Sequence, residues 1–149
     1  MVKARKHILV VEDYQQLRDL MQTVLQELGG HAVHTAADAD NAERLIAEQW
    51  FDLVLLDIGL PGKPAGRDIA VLARARLQCP ILFITGRELA EVDCWQYIDP
   101  RDRFLRKPFK MDVLITEVRS LLKANAAKAP DAPTRRRPPG ARAKPVAAR

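Results

Sequence analysis

The 149-residue chain has only two cysteines, Cys79 and Cys94. They lack CxxC spacing and no histidines cluster with them, so the pattern argues against a zinc site or a disulfide framework. Both read as buried, reduced thiols. No apolar run approaches the roughly 20 residues needed to span a bilayer. The basic start, Met1 to Lys6, is followed only by the short stretch Ile8 to Val11 before Glu12 and Asp13. That is too short for a signal-peptide core, and the expectation is a cytoplasmic protein without membrane contact. The folded part also carries little net charge. From Ala124 onward seven basic residues face Asp131 alone, a tail of +6 that leaves −1 for residues 1–123 out of a total of +5.

What is present is an alternation of strand-like and helix-like segments. His7-Ile-Leu-Val-Val11, His31 to Thr35, Leu53-Val-Leu-Leu56 running into Asp57, Pro80 to Ile84 ending at Thr85-Gly86, and Phe104-Leu105-Arg106 read as strands. Leu17, Leu20, Met21, Val24, Leu25 and Leu28 fall at helical spacing before a Gly29-Gly30 stop. Asp38 or Asp40 can cap a second helix through Gln49, with Ala42, Leu45 and Ile46 on its inner face. A third helix reaches about Leu77, and a last one runs from Met111 to Lys123. Such alternation implies right-handed crossovers and a parallel sheet covered on both faces. Ligands of these sheets bind at the strand carboxyl ends.

The polar residues sit at those ends: Glu12-Asp13 after strand one, Asp57 after strand three, Thr85 after strand four and Lys107-Pro108 after strand five. Taken singly, each has an ordinary explanation as a helix cap, a turn former, a β-branched strand residue or a helix lead-in. Together they describe a site. Three converging carboxylates repel unless a cation lies among them, and oxygen donors suit Mg²⁺, which also binds phosphate oxygens. Lys107 offers a flexible positive charge and Thr85 a hydroxyl donor for the same phosphoryl group.

In these motifs, with Pro61 following Asp57 and Phe109 following Lys107-Pro108, residues 5–123 resemble the receiver domain of two-component response regulators. The resemblance implies a flavodoxin-like α/β fold, a doubly wound five-stranded parallel sheet of order 2-1-3-4-5. It implies that Asp57 accepts a phosphoryl group from a histidine kinase or a histidine phosphotransfer protein. Asp13, Asp57 and the backbone carbonyl of Gly59 would bind Mg²⁺, with Glu12 acting through water. Lys107 would pair with Asp57 and then its phosphate, and Thr85 would move to hydrogen-bond the phosphoryl oxygen. Beyond its own phosphorylation and dephosphorylation, no enzymatic activity is expected. Gly59 and Arg87 occupy the positions that tune hydrolysis in the family. Gly59 cannot position a water and Arg87 can shield the site, so slow self-dephosphorylation is the expectation.

Four features depart from the family's pattern. The loop after Asp57 looks one residue longer, with Gly66 where a glycine one place earlier is common. The strand-five switch position is Phe104, without a hydroxyl, so switching would depend on a buried versus an exposed ring; plain core packing is the alternative. Arg87 to Asp102 predicts a short or irregular fourth helix, with Trp95 and Tyr97 on the core or on a partner surface. Phe83-Ile-Thr-Gly86 in part resembles a stand-alone subgroup with such a helix. Lys110 stands where a Ser or Thr often caps the last helix, and Asp112 partly compensates.

Residues 124–149, rich in Ala, Pro, Arg and Lys, read as a disordered basic tail too short for a DNA-binding output domain. The leading expectation is therefore a stand-alone receiver acting through a downstream protein. Two alternatives remain. One is sequence-blind, salt-sensitive nucleic-acid binding through Arg135-Arg-Arg137, and the other is a phosphorylation-independent binding module.

Overall fold

The structure, a computed structural model, describes residues 5–59, 66–86 and 99–128. The elements run β1 (His7–Val11), α1 (Gln15–Glu27), β2 (Ala32–Ala36), α2 (Ala39–Glu48), β3 (Leu53–Asp57), α3 (Gly66–Leu77), β4 (Ile81–Thr85), β5 (Arg103–Arg106) and α4 (Met111–Lys128). All strand pairs are parallel, in the order β2-β1-β3-β4-β5. The fold is the five-stranded doubly wound one expected. The expected irregular helix between β4 and β5, with Arg87, Cys94, Trp95 and Tyr97, lies outside the described residues.

The central strands are apolar at nearly every position because both of their faces are covered. Alternate residues feed two cores. Leu9, Val11, Val54, Leu56, Ile81 and Phe83 pack with α2 and α3 residues such as Ile46, Ile69 and Ala73. Ile8, Val10, Leu53, Leu55, Leu82 and Ile84 pack on the other face with Met21 and Leu25 of α1 and Leu114 and Val118 of α4. Cys79 is buried in the first core, and burial pushes its thiol up to about 12. It is an inert packing residue, as expected.

Local signals end the elements where they should. Asp38 caps α2, its side chain accepting from the Asn41 amide at 2.8 Å. Gly30 takes φ +72° after α1, and its N–H donates to the Gln26 carbonyl while His31 N–H donates to that of Leu25. Only glycine adopts that conformation without strain. Several boundaries shift: β4 begins one residue later than expected, at Ile81, and β5 one earlier, at Arg103. β2 begins and ends one residue later than expected. α4 continues five residues past Lys123, so the folded unit extends into what reads as tail. Asn125 is buried there and accepts from Arg101 Nη1 at 3.2 Å.

Gly66, at the start of α3, packs against the backbone leaving β3, and the longer loop expected before it lies outside the described residues. A Cβ at this position would lie 3.0 Å from the Asp57 carbonyl oxygen and 3.1 Å from both Ile58 Cα and Ile58 O. The helix thus presses directly on the backbone leaving β3. Gly66→Ala is expected to lower stability by about 1–3 kcal/mol through this overpacking, measured by urea denaturation. A wild-type midpoint would contradict it.

Candidate functional site

The sheet register assembles the site. Val11 is level with Leu56, so Glu12 falls level with Asp57. Asp57 is level with Ile84, which places Thr85 one step beyond it, and Thr85 is level with Arg106, which places Lys107 one step further. Backbone bonds carry the ladder past the strand ends: Ile58 N–H donates to Ile84 O at 3.0 Å and Lys107 N–H to Thr85 O at 2.8 Å. The Lys107–Pro108 peptide bond is cis.

Carboxylate oxygens of Glu12, Asp13 and Asp57 lie within 4.8 Å of one another. Glu12 and Asp57 are buried, while Asp13 is exposed at the mouth. The Lys107 ammonium reaches in at 3.0 Å from Glu12 Oε1 and 3.2 Å from Asp57 Oδ2. Gly59 N–H donates to Asp57 Oδ1 at 2.9 Å, fixing the carboxylate plane. The Glu12-Asp13 pair does not cap α1. Its N-cap is Tyr14, which makes no side-chain capping bond, so the ordinary reading of the acidic pair fails.

Electrostatics follow from this crowding. Burial pushes the Glu12 carboxyl up to about 7, against the pull of Lys107 and with the Asp57 charge adding to it. For Lys107, burial pulls downward, yet Glu12 and Asp57 outweigh it and raise the ammonium above its ordinary value. Glu12 Oε1 is buried and receives no hydrogen bond among the described residues, although Lys107 Nζ is close. A buried carboxylate oxygen in this position, in an all-oxygen set of three acids, fits a hard divalent cation such as Mg²⁺.

The remaining candidates are placed as follows. Thr85 is buried at the end of β4. Phe104 is half-buried and stacks on Phe83, with ring centroids 5.0 Å apart and planes 20° apart, so its ring belongs to the core side of the site. Arg87 lies outside the described residues. At Lys110 the carbonyl, accepting from Val113 and Leu114 N–H, starts α4. Two residues escaped the sequence reading. Arg18 Nη1 donates to the carbonyls of Glu12 and Asp13. Asp102, beyond the opposite end of the sheet, gathers Arg74, Ile81 N–H and Asp99 N–H on one buried carboxylate. A cation within a turn of a helix N-terminus, against the dipole, was the available signal for the first.

A parallel α/β sheet thus brings an acidic cluster, a lysine and a threonine to adjacent strand ends, the arrangement expected of a signalling receiver. Residues 8–119 match the family described as response regulator receiver domain, and the chain belongs to it, as a receiver domain of a response regulator in two-component signalling. Over 115 residues the chain is 37% identical to the transcriptional regulatory protein TcrA of Mycobacterium tuberculosis, covering 76% of this chain and 45% of that one. The chain spans about half the length of the curated relatives it matches. Among solved structures it is similar to a CheY-like receiver domain protein from Methanospirillum hungatei JF-1, with a TM-score of 0.75 and 23% identity over 85% of this chain and all of that one. It is also similar to the response regulator TrrA from Thermotoga maritima in complex with Mg²⁺–BeF, with a TM-score of 0.65 and 30% identity over 78% and 98% of the two chains. Among the described residues, no helix is long and apolar enough to cross a membrane.

Proposed function

We propose that Asp57 is the phosphoacceptor of this receiver and takes its phosphoryl group from a phosphohistidine on a histidine kinase or a phosphotransfer protein. The observation that carries the reading is the convergence of Asp57, Glu12, Asp13 and Lys107 on one strand-end pocket. An Asp57 oxygen forms the new bond to phosphorus while the phosphorus–nitrogen bond of the donor breaks, and the imidazole leaves. Asp13, Asp57 and the Gly59 carbonyl would hold Mg²⁺, with Glu12 joined through water, and the ion supplies charge neutralisation at the phosphoryl oxygens. The Mg²⁺–BeF complex of TrrA, 30% identical, supports this assignment. Lys107 stays within reach of the Asp57 oxygen that carries the phosphate. Thr85 supplies a hydroxyl at the adjacent strand end, Phe104 follows its loop, and the output is a changed protein–protein contact.

Acetyl phosphate with Mg²⁺ should add one phosphoryl group to the chain, read by intact mass, and EDTA should abolish it. No adduct on the wild type would favour a phosphorylation-independent binding module. Lys107→Ala should slow uptake by about 10²-fold, as expected for loss of a positioned transition-state donor, read from the time course of the same adduct. An unchanged rate would remove Lys107 from the reaction. With Gly59 unable to position a water, and with Arg87 at the family position that can shield the site, the phosphoryl group should persist well beyond seconds after removal of the donor. A half-life of seconds would contradict that role.

A further inference from the structure

The Glu12–Tyr14 turn has no side-chain cap from Tyr14, yet two of the three carboxylates of the cluster hang from it. Glu12 N–H donates to the Ala36 carbonyl at 3.1 Å and Tyr14 N–H to Glu12 Oε2 at 3.2 Å, while the carbonyls of Glu12 and Asp13 are held together by one guanidinium. Arg18 Nη1 donates to the Glu12 carbonyl at 2.9 Å and to the Asp13 carbonyl at 3.3 Å. Arg18 itself is anchored in the first turns of α1 by its own N–H on the Tyr14 carbonyl at 2.9 Å. A cation this near a helix N-terminus is opposed by the helix dipole, so the site retains it against a local penalty. The two carbonyls offset that penalty with charge-assisted bonds.

The geometry points to Arg18 as the positioning residue of the acidic loop: by holding both carbonyls, it fixes the backbone from which the Glu12 and Asp13 carboxylates reach a divalent cation. This rests on the reading of the cluster as a Mg²⁺ site. Among the described residues the Arg18 guanidinium bonds to these two carbonyls and to none of the cluster's carboxylates, so its effect passes through backbone position. Its charge acts in the opposite sense, because a cation beside the pocket repels Mg²⁺. The two roles therefore predict opposite results on its removal.

Calorimetric titration of Mg²⁺ into the full chain separates them. Arg18→Met should weaken Mg²⁺ binding about tenfold, the lower end for groups that orient metal ligands at one remove. Arg18→Lys, which keeps the charge but replaces the planar fork with a point donor, should fall between Met and wild type, and it carries the test if the Met variant does not fold. Gln22→Ala, which removes another side chain-to-backbone bond of α1, to the Val33 carbonyl, should bind as wild type does. Unchanged or tighter binding in the Arg18 variants, or an equal loss in Gln22→Ala, would overturn the proposal. No Mg²⁺ binding by the wild type would instead overturn the metal-site reading beneath it.

Discussion

Asp57→Asn will take up no phosphoryl group from acetyl phosphate and Mg²⁺, while folding as the wild type does. The amide lacks the nucleophilic oxygen at the Oδ2 position, and it removes one of the three charges that gather a cation. The fold should survive because the change is isosteric. Asn keeps the Oδ1 acceptor for Gly59 N–H, bonded at 2.9 Å, and Lys107 keeps Glu12 at 3.0 Å when its 3.2 Å partner is lost. Losing one of two buried, repelling carboxylates offsets the lost ion pair, so the melting free energy should stay within about 1 kcal/mol of wild type. Intact mass and thermal denaturation check the two halves. A phosphorylated Asp57→Asn chain would place the acceptor elsewhere.

The second large effect lies at the far end of the sheet. Asp102 has a fully buried side chain that accepts from Ile81 N–H at 2.8 Å, Asp99 N–H at 2.9 Å and the Arg74 guanidinium. Arg74 in turn donates to the Cys79 carbonyl at 2.8 Å. Arg101 donates to Asp99 and holds its carboxyl below the ordinary range, and it also reaches Asn125 of α4. One carboxylate thus ties the end of α3, the start of β4 and the entry to β5, and through Asp99 and Arg101 it reaches α4. Asp102→Ala leaves two amides and a guanidinium without their acceptor, each orphan costing about 1–3 kcal/mol. Arg74 retains some solvent contact, so its share is discounted, and the expected total is about 3 kcal/mol. For a chain of this length that is a fall in Tm on the order of 10 °C. Asp102→Asn, which keeps one acceptor oxygen, should lose about half as much by the same count. A Tm within a degree or two of wild type in Asp102→Ala would show that the network does not bear on stability.

These two residues also mark what the sequence made legible. Asp57 could be read because a buried parallel strand is a continuous apolar run, and the first charge after Leu53-Val-Leu-Leu56 stands out against it. The same contrast exposed Glu12-Asp13 and Thr85, and parallel topology alone brought them to one edge. Asp102 offered no such contrast. It read only as the end of the irregular stretch from Arg87 to Asp102, and its partners Arg74 and Ile81 are joined to it only by the fold. Arg18 was hidden similarly, since its acceptors are backbone carbonyls that carry no sequence signature. The end of α4 was set too early because its apolar periodicity stops at Leu122. The helix continues because Ala124, Ala126 and Ala127 favour it and no proline intervenes before Pro130. Phe104 was left open between switch and packing, and its stack on Phe83 accounts for the packing half.

The claim that Asp57 is an acyl-phosphate site is tested most directly by trapping the adduct where it forms. The phosphorylated chain is reduced with borohydride, which converts an aspartyl phosphate to homoserine, and peptide mass mapping then locates the changed residue. Homoserine at position 57, dependent on Mg²⁺ during phosphorylation, is the expected result. Conversion at Asp13, or none in a chain that has gained a phosphoryl group, would contradict it.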